Sequence, residues 1–456
     1  MASAAPLIVF VLLPERTAFN ASFVLARRLT EAGYRVAYIG PPAYERHVAA
    51  QGLGYDTLLP DPLLPQPNSE ETSAGRFVWW DRWRENSRAF QCYQDGLHAG
   101  MRTIEDWLGR NPPSLALLDP LMWEFAPPLL KCRIPVVGIC STLTARLDIN
   151  IPPVFFDIAP ETTTDASVRL RYLVAWAKVL LRIVARSTLE EFALVSTFGP
   201  LRYRKYRAKS LVKEHGGSLR YGEYGLRLNV PELVMAPSAI DLPQVVNQRE
   251  RFYAGSCVDV RRRDQDFSWG AIEKGKPLVY CSLGTYSQFY DHGKRLFSAL
   301  IDALRNDDKW QAIIHVGDAA SDQEFGRLPP HILLTRFAAQ LEVLEHASIF
   351  VTHGGFGSVR EGAFFGVPMI VFPCWLDQFG NAARVVHHRL GVRGHIDTID
   401  AKQMRKLLEQ VQAPELRDGV LRMRAIFRHH ETCQDGVDWI ARFLSATAPP
   451  SRQQRH

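Results

Sequence analysis

Arg336–Asn381 reads RFAAQLEVLEHASIFVTHGGFGSVREGAFFGVPMIVFPCWLDQFGN. Within it Ser348–Thr352 (SIFVT) is a short apolar run rich in β-branched and aromatic residues, the composition of a buried strand. The run ends in small residues, His353-Gly354-Gly355-Phe356-Gly357-Ser358. A helical pattern starts near Val359, Gly366-Val367-Pro368 closes it, and Met369–Phe372 is the next strand. Strand, glycine loop, helix and strand make a βαβ unit. Its helix N-terminus offers unpaired N–H groups and the positive end of a dipole, a ready phosphate site. The glycines alone say little, because Gly-Gly-Phe-Gly lacks the GxGxxG spacing and no obvious acidic residue follows to read a dinucleotide ribose.

The same rhythm runs through the rest of the chain. Leu7–Leu13 is a buried first strand, Pro14–Asn20 a loop, Ala21–Ala32 a helix stopped by Gly33, and Arg35–Gly40 the second strand. Leu115–Asp119 is a strand with a carboxylate at its C-terminal end, and Pro135–Cys140 is the next. Glu232–Pro237 closes the first half, and Asp241–Glu250 is polar enough for a linker. Arg251–Gly255 opens the second half, followed by Leu278–Thr285, a strand running into a small polar loop, and by strands at Ala312–Val316 and Ile332–Leu334. Strand–helix alternation from the outset predicts α/β units with parallel, doubly wound sheets, which bind ligands beyond the C-terminal strand ends. The division expected is 1–240, a linker 241–250, 251–430, and a C-terminal helix and tail 431–456.

A chain of 456 residues suits about two domains. A hydrophobic content of 46% and a charged content of 22% are those of an ordinary globular protein. The seven cysteines are scattered, odd in number and without CxxC pairs, which argues for free thiols over a disulfide framework or a zinc site. Leu7–Leu13 is too short to span a bilayer and has no basic region before it, so the expectation is a cytoplasmic protein. Pro60–Ser69 reads as a loop. Val78–Trp83 (VWWDRW) suits either an acceptor pocket or an aromatic helix packed on a sheet. From Arg169 to Arg227 there are thirteen Lys or Arg against four Glu, on an amphipathic helix at Val168–Ser187 and a dense run at Arg202–Lys209. Such a segment either lies on anionic lipid as a peripheral contact or is a solvated face. No nucleic-acid motif accompanies it.

The ordered set Gln340, His353-Gly-Gly-x-Gly-Ser358, Glu361, Gly366-Val-Pro368 and Pro373-x-x-x-Asp377-Gln378 resembles the nucleotide-sugar signature of the family 1 glycosyltransferases, the UDP-glycosyltransferases. The resemblance implies a GT-B fold, two Rossmann-like domains facing each other across a cleft, the first taking the acceptor and the second the donor. By the same resemblance Phe337 stacks on the nucleobase and Gln340 lies near base and ribose. Glu361 accepts from the ribose hydroxyls. His353, Gly355, Gly357, Ser358 and the loop Ser282-Leu283-Gly284-Thr285 hold the diphosphate, and Asp377 and Gln378 bond the sugar. It further implies inverting transfer from a UDP- or dTDP-sugar to a hydroxyl of a hydrophobic small molecule or lipid, with no metal and no cofactor beyond that co-substrate.

The family's general base is a histidine after the first strand, oriented by an aspartate. Asp119 matches the aspartate, but Ala18 stands at the histidine position, and no histidine lies between Met1 and Tyr44. Three readings stay open: an acceptor that ionises unaided, Asp119 acting as base directly or through a water, or a nucleotide-sugar binder that no longer catalyses transfer.

Overall fold

The computed structural model describes residues 5–60, 95–143, 147–156, 158, 165–206, 208–246, 250–262, 264, 266–270, 272–273, 275–284, 293–317 and 322–447. Val78–Trp83, Thr285, most of Pro60–Ser69 and the tail 448–456 lie outside them, as do the side chains of 201–207 within the Arg202–Lys209 run. The chain divides into two compact units, one of Met1–Cys140, Ala177–Leu233 and Gly436–His456, the other of Ser141–Trp176 and Val234–Asp435.

In the first unit the chain runs β1 (Leu7–Val11), α1 (Arg16–Glu31), β2 (Arg35–Gly40), α2 (Glu45–Ala49), β3 (Gly54–Thr57), α3 (residues 95–110), β4 (Leu115–Leu118), α4 (Ala126–Lys131) and β5 (Val136–Cys140). After α5 (Ala166–Tyr206) come α6 (Ala208–Glu214), an antiparallel hairpin of β6 (Leu219–Gly222) and β7 (Gly225–Leu228), and β8 (Glu232–Val234). The sheet order is β3-β2-β1-β4-β5-β8, with parallel pairing from β3 to β5. The helix expected from Ala21 starts five residues earlier, at Arg16. The Glu15 N-cap makes no side-chain cap bond, so the sequence carries no start signal there. Val9, Val11, Ala116 and Leu118 on one sheet face pack with Met101, Ile104 and Leu108 of α3.

The second unit holds α7 (Pro243–Val246), β9 (Arg251–Tyr253), β10 (Leu278–Ser282), α8 (Gly293–Leu304), β11 (Gln311–His315), β12 (Ile332–Thr335), α9 (Gln340–His346), β13 (Ile349–Thr352), α10 (Phe356–Phe365), β14 (Met369–Val371), α11 (Gln378–His387), β15 (Gly391–Arg393), α12 (Ala401–Gln410) and α13 (Pro414–Thr432). Then α14 (Asp435–Thr447) follows, almost all of it counted with the first unit. The six-stranded parallel sheet has the order β12-β11-β10-β13-β14-β15. Both its faces are covered, as parallel sheets require. Val279, Cys281, Ile314 and Val351 pack on α8 and α12, while Tyr280 stacks on Phe350 on the other face.

The polar run from Asp241 begins at a buried hub. The Asp241 carboxylate, 2% exposed, accepts from Arg384 Nε at 2.9 Å and Nη2 at 2.7 Å, and from Tyr253 Oη at 3.0 Å, with Arg251 at 3.5 Å. Burial alone would raise this carboxyl, but Arg384 and Arg251 hold it below the usual aspartate range. Among the described residues no helix is long and apolar enough to cross a membrane.

Candidate active site

Each sheet reverses its strand order at one point, between β10 and β13 in the second unit and between β1 and β4 in the first. Loops leaving the C-terminal ends of strands at such a switch point form the binding crevice of a doubly wound sheet.

In the second unit Ser282 pairs in register with Thr352, so the loops that follow leave the sheet side by side. Ser282 is fully buried; its hydroxyl lies 3.2 Å from His315 Nδ1 and accepts from Gly284 N at 3.3 Å. His315 Nε2 lies 3.1 Å from the Arg336 carbonyl. This relay fixes the loop after β10 and joins it to the segment carrying Phe337. That segment is turned by Thr335, whose hydroxyl donates to the Phe337 carbonyl at 2.6 Å. Phe337 itself is half-buried.

His353 sits between two glycines. A Cβ on Gly284 would lie 2.6 Å from its Cε1, and one on Gly355 would lie 2.4 Å from its Nε2. Gly284 also has φ +77, where a side chain is strained. Burial pushes the His353 imidazole down to about 4, against a bond with the Ser282 backbone, so it is neutral at pH 7. Helix α10 begins immediately after, with Gly355 as its N-cap and no side-chain cap. Its first N–H groups, on Phe356, Gly357 and Ser358, therefore lack intrahelical acceptors. The sequence placed this helix start near Val359; Gly357 reads as loop in isolation but falls inside the first turn.

Glu361, buried in α10, is engaged by the motif's Gln340 and by Arg262, which the motif does not contain. Its Oε1 accepts from Arg262 Nη1 at 2.9 Å and its Oε2 from Gln340 Nε2 at 2.6 Å. Gln340 in turn accepts from Tyr280 Oη at 3.3 Å, and Arg262 grips Asp264 at 3.1 to 3.2 Å through Nε and Nη2. Arg262 and Asp264 also line a groove of about 800 Å³ with Ala339, Glu342 and Arg428. A carboxylate has about four acceptor positions, so two remain for a diol beside Arg262 and Gln340. Sequence reading missed Arg262, since Arg261-Arg262-Arg263-Asp264 shows only a run of charges 99 residues from Glu361.

At the start of α11, Asp377 accepts from Asn381 Nδ2 at 3.1 Å, and the same amide holds the Gly354 carbonyl at 3.0 Å. The Gln378 carbonyl oxygen accepts from Cys374 N at 2.8 Å and Trp375 N at 2.9 Å, so that end of the side chain shapes the loop before it. Trp375 is exposed, and Leu376 has φ +48, a strained setting for a branched residue.

In the first unit Asp119 follows β4 at the switch point, its N–H bonded to the Val11 carbonyl of β1 at 2.8 Å. The carboxylate accepts from Leu121 N at 2.9 Å. Burial raises its pKa to about 6, opposed by the Leu121 bond and by Arg227. Arg227 was expected in the exposed basic segment. It is instead buried and bound to Glu232 at 2.9 Å, which also holds Arg220. Ala18 is buried in the first turn of α1, after β1, where a helix side chain and not a loop side chain stands.

Two parallel-sheet units of this order, one with a capped-open helix behind His-Gly-Gly, define the GT-B class of glycosyltransferases. The family model for the erythromycin biosynthesis protein CIII-like C-terminal domain matches residues 298–433. NDP-glycosyltransferase YjiC of Bacillus licheniformis is 30% identical over 442 residues, 95% of this chain and 96% of that protein. Demethyllactenocin mycarosyltransferase of Streptomyces fradiae is 27% identical over 451 residues, 97% of this chain and 87% of that protein. The solved structure of glycosyltransferase VinC in complex with DTDP superposes with a TM-score of 0.65 at 15% identity, covering 96% of this chain and 100% of that one. The chain belongs to the family 1 glycosyltransferases.

Proposed function

We propose that the protein transfers a sugar from a UDP- or dTDP-sugar to a hydroxyl of a hydrophobic small molecule, with inversion and without a metal. The observation that carries the donor half is His353 fitted between Gly284 and Gly355 at the open N-terminus of α10. As the bond from the anomeric carbon to the diphosphate breaks, the leaving oxygen gains charge. Fixed N–H dipoles of Phe356, Gly357 and Ser358 stabilise that charge with no reorganisation. Glu361 takes the ribose hydroxyls on the lone pairs left by Arg262 and Gln340, and Asp377 takes sugar hydroxyls. The relative bound to DTDP supports a thymidine donor as readily as a uridine one.

For the acceptor half, Asp119 takes the proton, directly or through a water. A carboxyl raised to about 6 is a better base than an exposed aspartate and remains mostly ionised at pH 7. Ala18 motivates a second reading, a nucleotide-sugar binder with no transfer. The test is diphosphate release from UDP-glucose and dTDP-glucose with a pooled acceptor panel, for the chain and for Ala18→His. Product from the unaltered chain supports transfer without the family histidine. Turnover by Ala18→His alone, or tight nucleotide binding with no product from either, supports the binder.

A further inference from the structure

Helix α5 buries Val168, Tyr172, Ala175, Trp176 and Val179 along one face. Opposite them Leu170, Leu173, Val174, Leu181 and Val184 stand 46% to 69% exposed. At 100° per residue these five fall within one stripe about 100° wide and, at 1.5 Å per residue, about 21 Å long. An apolar stripe on the outward face is unusual for a globular helix, whose solvent face is polar. The cations border it: Arg169 on one side, and Arg171, Lys178 and Arg182 on the other, all exposed. No Asp or Glu occurs between Ala166 and Thr188.

We propose that this stripe docks on an anionic lipid surface, with the leucines and valines entering the headgroup boundary and the basic stems reaching back to the phosphates. Charge decides the occupant: cations on both margins, with Asp165 beside Arg171 at the helix start the one acid near them among the described residues, match a negatively charged plane. Size agrees, since one helix stripe roughly 20 Å by 10 Å is far below the ~800 Å² per partner of a stable protein interface. Arg220 and Arg227, both paired with Glu232, take no part. The docking is peripheral and separate from donor binding.

The test is flotation of the full chain with phosphatidylcholine vesicles, with and without a quarter phosphatidylglycerol, at 50 and 500 mM salt. Expected is retention on the anionic vesicles at low salt, loss at high salt, and loss in Leu173→Asp/Leu181→Asp. Arg169→Gln/Lys178→Gln should weaken retention about fivefold per charge. Unchanged thermal melting and nucleotide titration show that the variants are folded. No retention on anionic vesicles, or equal retention on neutral ones, overturns the proposal. So does a dimer seen by light scattering that the aspartate variant dissolves, which would assign the stripe to a second copy.

Discussion

Asp119 in the folded chain binds its proton up to about pH 6, whereas an unfolded aspartate releases it near 4. Between those values the folded state holds more protons, so this residue's contribution falls as pH rises through the window and stays low above it. Two pH units correspond to about 3 kcal/mol. Asp119→Asn keeps an acceptor for Leu121 N and removes the buried charge. It should therefore be more stable than the parent at pH 8, by about 1–3 kcal/mol in urea unfolding, and equal to it near pH 4. Turnover should drop by about 10²–10⁴-fold if the carboxylate is the base. A variant that is both less stable at pH 8 and fully active would refute both roles. Gly355→Ala tests the donor side. The backbone there suits alanine, but its Cβ would lie 2.4 Å from His353 Nε2, and a ring wedged against Gly284 has nowhere to swing. UDP affinity should fall at least about tenfold, and stability by about 1–3 kcal/mol from overpacking against the ring. Unaltered affinity in a calorimetric titration would separate His353 from the phosphate.

Helix α10 ends in a Schellman motif: Val367 N bonds the Gly362 carbonyl at 3.0 Å and Gly366 N the Ala363 carbonyl at 3.2 Å, with Gly366 at φ +72. Gly366→Ala should cost about 1–2 kcal/mol from backbone strain, read by chemical denaturation, with an added cost if Arg424, 2.5 Å from the new Cβ, cannot move. A neutral result would mean that the cap relaxes. This element was legible in sequence because its ends carry glycine and proline punctuation and its flanking strands are unbroken apolar runs. The same signals found β2 to the residue. They failed for β3 (GYDT), β15 and the β6–β7 hairpin, which are short, half-exposed and lack alternation. The family motif named Gln340 and Glu361, yet Arg262, Asp264 and Tyr280 complete that cluster through contacts set only by the fold. Likewise Asp119 was legible as a carboxylate at a strand end. Its raised pKa was not, because it comes from burial that only the fold sets.

The shifted groups of the two units point in opposite directions on acidification. In the second, burial lowers His353 and His388 to about 4, His387 is also lowered, and the arginines hold Asp241 down. An unfolded histidine titrates near 6.5, so below that pH the unfolded chain binds more protons and this unit loses stability as pH falls towards 4. His353 alone contributes about 3 kcal/mol over that span. In the first unit Asp119 works the other way, gaining stability over the same acid range. Calorimetry at pH 7.5 and 5.0 should therefore show two transitions that move apart, the second unit melting earlier at pH 5.0 while the first holds or rises. UDP assigns the peaks, because a ligand at 100 times its Kd adds about 2.7 kcal/mol to the unit that binds it. The UDP-shifted transition should be the acid-sensitive one, and His353→Gln should flatten its pH dependence. Two transitions falling together on acidification, or a UDP shift on the acid-resistant one, would show that the opposed titrations do not govern how this chain unfolds.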